Sequence, residues 1–256
     1  MPESIVVLGF KSYEVTVVEA LDKIGAGEVI AKQKRVIIKP NLVTDLPPPV
    51  TTPPELCEVI VNYVRKVAPN TEVVIAEGCG EADGGTEDVF KSLGYTELAK
   101  KLGVPLIDLN LAPLIKLSLP GNKVFREFYI PEIAMDSYII SVPMLKAHSL
   151  SVFTGSMKNM MGFAPPKYYQ AGGHWKKSMF HNRMQEAILD LNRYRKADLT
   201  VFDATIGLEE YHLGGKECYP RINKILAGYD PQEVDRAAAK LLGINWQKVM
   251  HLNEKI

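Results

Sequence analysis

The sequence predicts an α/β fold: a layered, mostly parallel sheet flanked by helices, with one small hairpin insertion. Three observations predict it. Short runs rich in β-branched residues recur along the chain, helix-period segments lie between them, and several helix starts carry capping signals.

The strand runs are residues 5–10, 35–39, 73–77, 106–109, 138–142, 199–203 and 223–227. Their near-continuous apolarity is that of strands covered on both faces, as in a parallel sheet. Residues 55–67 place Leu56, Val59, Ile60, Tyr63 and Val67 on one helical stripe, and residues 182–194 do the same with Met184, Ile188 and Leu191. Thr52-Pro53-Pro54-Glu55 reads as an N-cap, a proline in the first turn and a glutamate closing a capping box. Asp230-Pro231-Gln232-Glu233 repeats that logic before a helix over 233–242, which stops at Gly243. Strand-to-helix alternation with right-handed crossovers makes residues 1–256 a single domain.

Two stretches break the rhythm. Residues 110–128 contain Leu117-Ser118-Leu119-Pro120-Gly121-Asn122-Lys123-Val124, which reads as strand, tight turn, strand: the hairpin insertion. Residues 165–180 form a long irregular segment in which Gly172 and Gly173 lie beside Tyr168, Tyr169 and Trp175. Glycine hinges beside aromatics suit a lid over a ligand. The same basic and aromatic side chains suit a dimer contact, or stacking on single-stranded nucleic acid.

Composition narrows the partners. Lys+Arg and Asp+Glu balance at 30 each, which argues against nucleic acid and anionic membrane. Cys57, Cys79 and Cys218 are scattered and odd in number, as expected in a reducing compartment. With no apolar run of roughly 18 residues and no basic-then-apolar leader, the expectation is a soluble cytoplasmic protein without a membrane partner.

In open α/β sheets, ligands bind beyond the carboxyl ends of the strands. Residues there include Lys39, Asn41, Glu77, Lys146, His148 and Asp203. Each alone could cap a helix or pair with a neighbour; as a group they suggest one crevice. Thr154-Gly155-Ser156 opens a helix, and free amides at Gly155 with Lys146, Lys158 and Asn159 would attract a phosphate or carboxylate. His148 or His181 would move a proton, with Asp203 or Glu77 orienting it. The segment lacks the Walker spacing, and Gly78-Cys79-Gly80 with Asp83-Gly84-Gly85-Thr86 lacks a full dinucleotide fingerprint. A divalent metal would have to be assembled in space from residues such as Glu77 and His174, because no HxxxH or CxxC spacing exists. His212 and His251 look like surface histidines.

Three strings resemble one family. Val36-Ile37-Ile38-Lys39-Pro40-Asn41-Leu42-Val43 followed by Thr51-Thr52-Pro53-Pro54-Glu55 is the first. The second is Ser141-Val142-Pro143-Met144-Leu145-Lys146-Ala147-His148-Ser149 with Gly155-Ser156-Met157-Lys158-Asn159-Met160-Met161-Gly162. The third is Ala227-Gly228-Tyr229-Asp230-Pro231-Gln232-Glu233-Val234-Asp235. They resemble, in order and over most of the chain, the family catalogued as domain of unknown function 362. The resemblance implies an α/β fold and no agreed reaction. Some members of that family carry a ferredoxin-like segment with iron–sulfur cysteines. Three scattered cysteines cannot supply the four ligands of such a cluster, so a redox role would need a separate electron-carrying protein.

A local likeness is to the N-terminal domain of nickel-pincer lactate racemases, where a histidine precedes a Ser-Gly-Gly-x-Lys turn. His148, Thr154-Gly155-Ser156 and Lys158 fall at that spacing, although Ser156 replaces a glycine and Asn159 follows the lysine. The likeness implies an acid–base role for His148, a cofactor lysine at Lys158 and a nickel ligand at His174. The sequence therefore leads to a protein binding an anionic small molecule or cofactor, with acid–base or metal-assisted chemistry open and no reaction class assigned. The alternative is a non-catalytic cofactor carrier or redox-partner docking module.

Overall fold

The structure is a computed structural model describing residues 3–80 and 84–256. Asp83, part of the second glycine-rich loop, lies outside the described residues. The strands are β1 (Ile5–Gly9), β2 (Arg35–Pro40), β3 (Glu72–Glu77), β4 (Leu106–Asp108), β5 (Leu114–Ser118), β6 (Glu127–Pro131), β7 (Tyr138–Val142), β8 (Met144–His148), β9 (Val152–Thr154), β10 (Leu199–Leu208) and β11 (Lys224–Gly228). The helices are α1 (Tyr13–Lys23), α2 (Ala26–Ile30), α3 (Pro54–Val67), α4 (Thr86–Ser92), α5 (Tyr95–Leu102), α6 (Ser156–Asn159), α7 (Pro166–Tyr169), α8 (Met184–Tyr194), α9 (Pro231–Leu241) and α10 (Met250–Asn253).

The main sheet runs β1-β11-β10-β7-β2-β3-β4. Strands β10, β7, β2, β3 and β4 are parallel, while β11 lies antiparallel between β10 and β1. This is the mostly parallel layered sheet expected from the apolar runs. Side-chain alternation divides it into two cores. Val36, Ile38, Val73 and Ile75 face one side with Leu56, Ile60 and Val64 of α3. Ile37, Val74 and Ala76 face the other, with Ile188 and Leu191 of α8 and Val234 of α9.

Chain order runs from β2 outward through β3 to β4, then returns to place β7 on the other side of β2. The β2/β7 boundary is thus a topological switch point, where the connections leave in opposite directions and open a crevice. Thr52 ties this boundary together rather than capping α3 as expected. Its Oγ1 donates to the Val142 carbonyl at 2.8 Å and accepts the Asn41 N–H at 2.8 Å. Pro53 is the N-cap residue, and no side chain caps the helix. Asp230 caps α9 as expected, accepting the Gln232 and Glu233 amides.

Two expected features changed shape. The hairpin exists with a turn at Pro120-Gly121, where the Asn122 N–H donates to the Leu119 carbonyl at 3.0 Å, but its strands are β5 and β6, so the returning strand begins at Glu127 rather than directly after the turn. The Asp190 carboxylate of α8 accepts the N–H groups of Lys123, Val124 and Phe125, which holds the connection open as a wider loop. Residues 165–180 contain α7 and the start of a 3-10 turn, Ser178–Arg183, with Tyr169, Lys177 and Phe180 buried. Only residues 170–174 form a fully exposed stretch within it. No helix among the described residues is long and apolar enough to cross a membrane.

Candidate functional site

A cavity of about 210 Å³ opens beyond the carboxyl ends of β2, β3 and β8. Lys39 and Asn41 enter it from β2, Glu77 from β3 and His148 from β8; Lys158 and Asn159 come from α6, and His181 from the turn before α8. Residues separated by more than a hundred positions thus meet because the parallel strands end together.

Burial decides what each group has left to offer, because a polar group removed from water must find a partner. Lys39 has spent its donors: its ammonium lies 2.7 Å from the Glu77 carboxylate, 2.8 Å from the Pro40 carbonyl and 3.1 Å from Asn159 Oδ1. Burial pushes its pKa down, and the Glu77 charge opposes that. Glu77 is spent as well, since it also accepts the Leu42 and Gly78 N–H groups at 2.9 and 2.8 Å. Asn159 accepts from Lys39 and donates to the Lys39 carbonyl and to Ser141 Oγ, which makes it a brace within the wall. The backbone packs hard against this group: a side chain at Gly162 would put its Cβ 2.2 Å from Glu77 Oε1.

Lys146 is buried behind the cavity rather than in its lining. It donates to Asn41 Oδ1 at 2.6 Å and to the Val50 carbonyl at 2.7 Å. Burial and the nearby Lys158 hold its pKa well below the ordinary lysine range. This bond turns Asn41 so that its oxygen faces Lys146, leaving the amide NH2 as the end without a partner among the described residues. Lys177, in the cavity wall, donates to Asn110 Oδ1 at 2.6 Å and to the Ala164 carbonyl, and burial lowers its pKa to about 7.

Lys158 differs from the other three lysines. Among the described residues its ammonium has no hydrogen-bond or ion-pair partner, and burial lowers its pKa to about 8. His148 is held just as specifically. Its Nδ1 accepts the Leu150 and Ser151 backbone N–H groups at 3.0 and 3.3 Å, so Nδ1 carries no proton and the neutral ring presents Nε2–H. The turn that brings these amides round ends at Val152, whose φ of 67° is a conformation β-branched residues rarely adopt. Burial, then Lys158 and then His212, push the His148 pKa far down. A ring locked in this state donates a hydrogen bond; His181, which lines the same cavity, has its pKa lowered by burial and Lys158.

Several expected site residues do not join the cavity. The amides expected to be free near Gly155 are taken: Ser156 and Met157 N–H donate to the buried Asp235 carboxylate at 2.6 and 2.9 Å. Asp235 occupies the place an external anion would take, and a Cβ at Gly155 would lie 2.3 Å from it. Asp203 is buried away from the cavity, accepting from Tyr13 Oη at 2.6 Å and from Thr205 N and Oγ1 at 2.8 and 2.7 Å. His174 is exposed and outside the lining. With Glu77 spent and His174 apart from Lys158 and His148, these residues do not fit a metal or a nickel cofactor bound through His174. No group of three His, Cys, Asp or Glu able to hold a metal exists among the described residues.

Sequence reading missed two histidines. His212 lines the cavity and stacks on His148 with ring centroids 3.9 Å apart, and burial and Lys158 lower its pKa to about 3. His251 is fully buried, with neither ring nitrogen partnered among the described residues. Neither has a local signal; Tyr211-His212 follows β10 only after that strand runs to Leu208, five residues past its expected end. Trp175 and Tyr211 add aromatic surface to the lining, and Val43, Leu150, Met161 and Met184 add apolar surface.

No curated protein matches this chain. Among solved structures, the lactate racemase apoprotein from Thermoanaerobacterium thermosaccharolyticum is similar in fold, with a TM-score of 0.54 at 13% sequence identity. The likeness covers 95% of this chain and 57% of the racemase chain, so this protein spans little more than half the length of that neighbour. The family described as Domain of unknown function (DUF362) matches residues 36–240, and the chain belongs to it.

Proposed function

We propose that this protein binds a compact small molecule bearing a carboxylate or phosphate in the cavity beyond β2, β3 and β8. One observation carries the reading: the unpaired Lys158 ammonium lies in a wall whose only acidic side chain among the described residues, Glu77, is already consumed. The fixed groups with valence left, Asn41 NH2 and His148 Nε2–H, are donors too. A pocket of unspent donors and positive charge favours an anion, and its apolar and aromatic walls suit a short carbon skeleton. In this reading His181 exchanges the proton if the ligand is transformed, because His148 is locked as a donor.

Isothermal titration calorimetry with inorganic phosphate and with propionate tests the reading. At least one should bind, and Lys158→Ala should weaken it by tenfold or more, about 1.4 kcal/mol or above. Equal affinity in the variant, with a native circular dichroism spectrum, would remove Lys158 from the site.

A further inference from the structure

Lys158 has a property that anion binding does not need. A lysine that only holds an anion does best as a fully charged ammonium. This one lines a partly closed cavity with His148, His181 and His212, and among the described residues no carboxylate pairs with it. Desolvation without a counter-ion favours the uncharged form of a lysine, and that form is the nucleophilic amine.

Resting on the anion-binding reading above, we propose that Lys158 is a covalent nucleophile, forming an imine with the carbonyl carbon of a small 2-oxo acid. The ligand's carboxylate supplies the negative charge that the cavity's donors attract, and its adjacent carbonyl supplies the electrophile. The free amine of Lys158 adds to the carbonyl carbon, giving a carbinolamine in which the former carbonyl oxygen is a hydroxyl. Loss of that hydroxyl with the remaining N–H hydrogen releases one water and leaves C=N. No electrons are gained or lost, and no further reactant is required. His148 Nε2–H and Asn41 NH2 are the donors placed to polarise the carbonyl oxygen and hold the carboxylate. The apolar walls at Met161, Leu150 and Val43 limit the water that would reverse the condensation.

The titration supports the geometry. With its pKa at about 8, Lys158 is a free amine in about one molecule in ten at pH 7. An ordinary lysine at 10.5 is so in about one in three thousand, so Lys158 should outcompete surface lysines by roughly 300-fold in available amine.

The test incubates the purified full chain with pyruvate and sodium cyanoborohydride and locates the reduced adduct by peptide mass spectrometry. Propionate, which lacks the carbonyl, is titrated calorimetrically on the same sample. We expect one dominant adduct on Lys158, forming faster as pH rises from about 6 to 8. Lys158→Arg keeps the positive charge without a nucleophilic amine, so it should lose the adduct outright while weakening propionate binding by no more than about tenfold. Adducts spread evenly over surface lysines, or absent while propionate binds, would overturn the imine and leave the anion site standing. Loss of both adduct and propionate binding in the unaltered protein would overturn both.

Discussion

A buried carboxylate costs free energy unless it is met by donors, and Asp235 is met by two. It comes from α9, near the end of the chain, and receives the first two amides of α6. Without it those N–H groups would be buried and unpaired. Asp235→Ala should therefore cost about 2–4 kcal/mol in urea unfolding, and a change below 1 kcal/mol would show that water replaces the carboxylate. This arrangement also explains why residue-level reading succeeded only in part. Lys39, Asn41 and His148 were legible from the strand ends and Lys158 from the helix start that follows them, whereas Lys146 and Asp203, also expected at strand ends, lie outside the cavity lining. Asp235 was not, because its role depends on the approach of a helix from 78 and 79 positions away, and it cancels the anion-attracting helix start that Thr154-Gly155-Ser156 advertises.

The hairpin is where element-scale reading fell short. Alternation and a Pro-Gly turn announced it, but not what it supports. Phe128 of β6 stacks on Tyr169 of α7 at 4.5 Å and on Tyr194 of α8 at 5.4 Å, while Phe125 packs on Phe180 at 4.8 Å. The Tyr169 hydroxyl also accepts the Tyr129 N–H at 2.7 Å. The hairpin thus fastens both ends of residues 165–180, and these carry Trp175 and Lys177 into the cavity wall. Phe128→Ala should cost about 3–5 kcal/mol by cavity formation. Hydrogen exchange should speed up across residues 165–183 as well as in the hairpin; acceleration confined to β5 and β6 would mean that the segment is held independently. The segment is also tied to the β3 side, through Lys176 N–H to the Gly80 carbonyl at 2.9 Å. A lid function would therefore involve residues 170–174 rather than the whole stretch.

At the scale of the whole molecule, the chain buries several histidines in neutral form, and this sets its response to acid. His251 is fully buried, and burial and then Lys158 lower its pKa to about 3. His148 and His212 are displaced in the same direction. Below an ordinary histidine pKa of about 6.5, the unfolded chain takes up protons that the folded chain refuses, so stability falls as pH falls from that value towards 3. For His251 alone the slope approaches 1.4 kcal/mol per pH unit within that window. His251→Phe should flatten the stability-versus-pH curve between about pH 4 and 6; an unchanged slope would mean that the ring already has a partner when protonated.

What the sequence by itself determined is the layer architecture and the site's general address. Apolar runs of strand length need cover on both faces, helical stripes provide it, and ligands then gather where parallel strands end. The strings around Lys39, Lys146 and Asp235 also carried the family resemblance that the match over residues 36–240 bears out. Only the tertiary structure decided which polar groups remain unspent. Whether a lysine is a tether, a brace or a free amine depends on the atoms within about 3 Å of its nitrogen, and these come from distant parts of the chain. Lys39 meets Glu77, Lys146 meets Asn41, Lys177 meets Asn110, and Lys158 meets no partner among the described residues. Residue type is local, but hydrogen-bond satisfaction is a property of the folded whole.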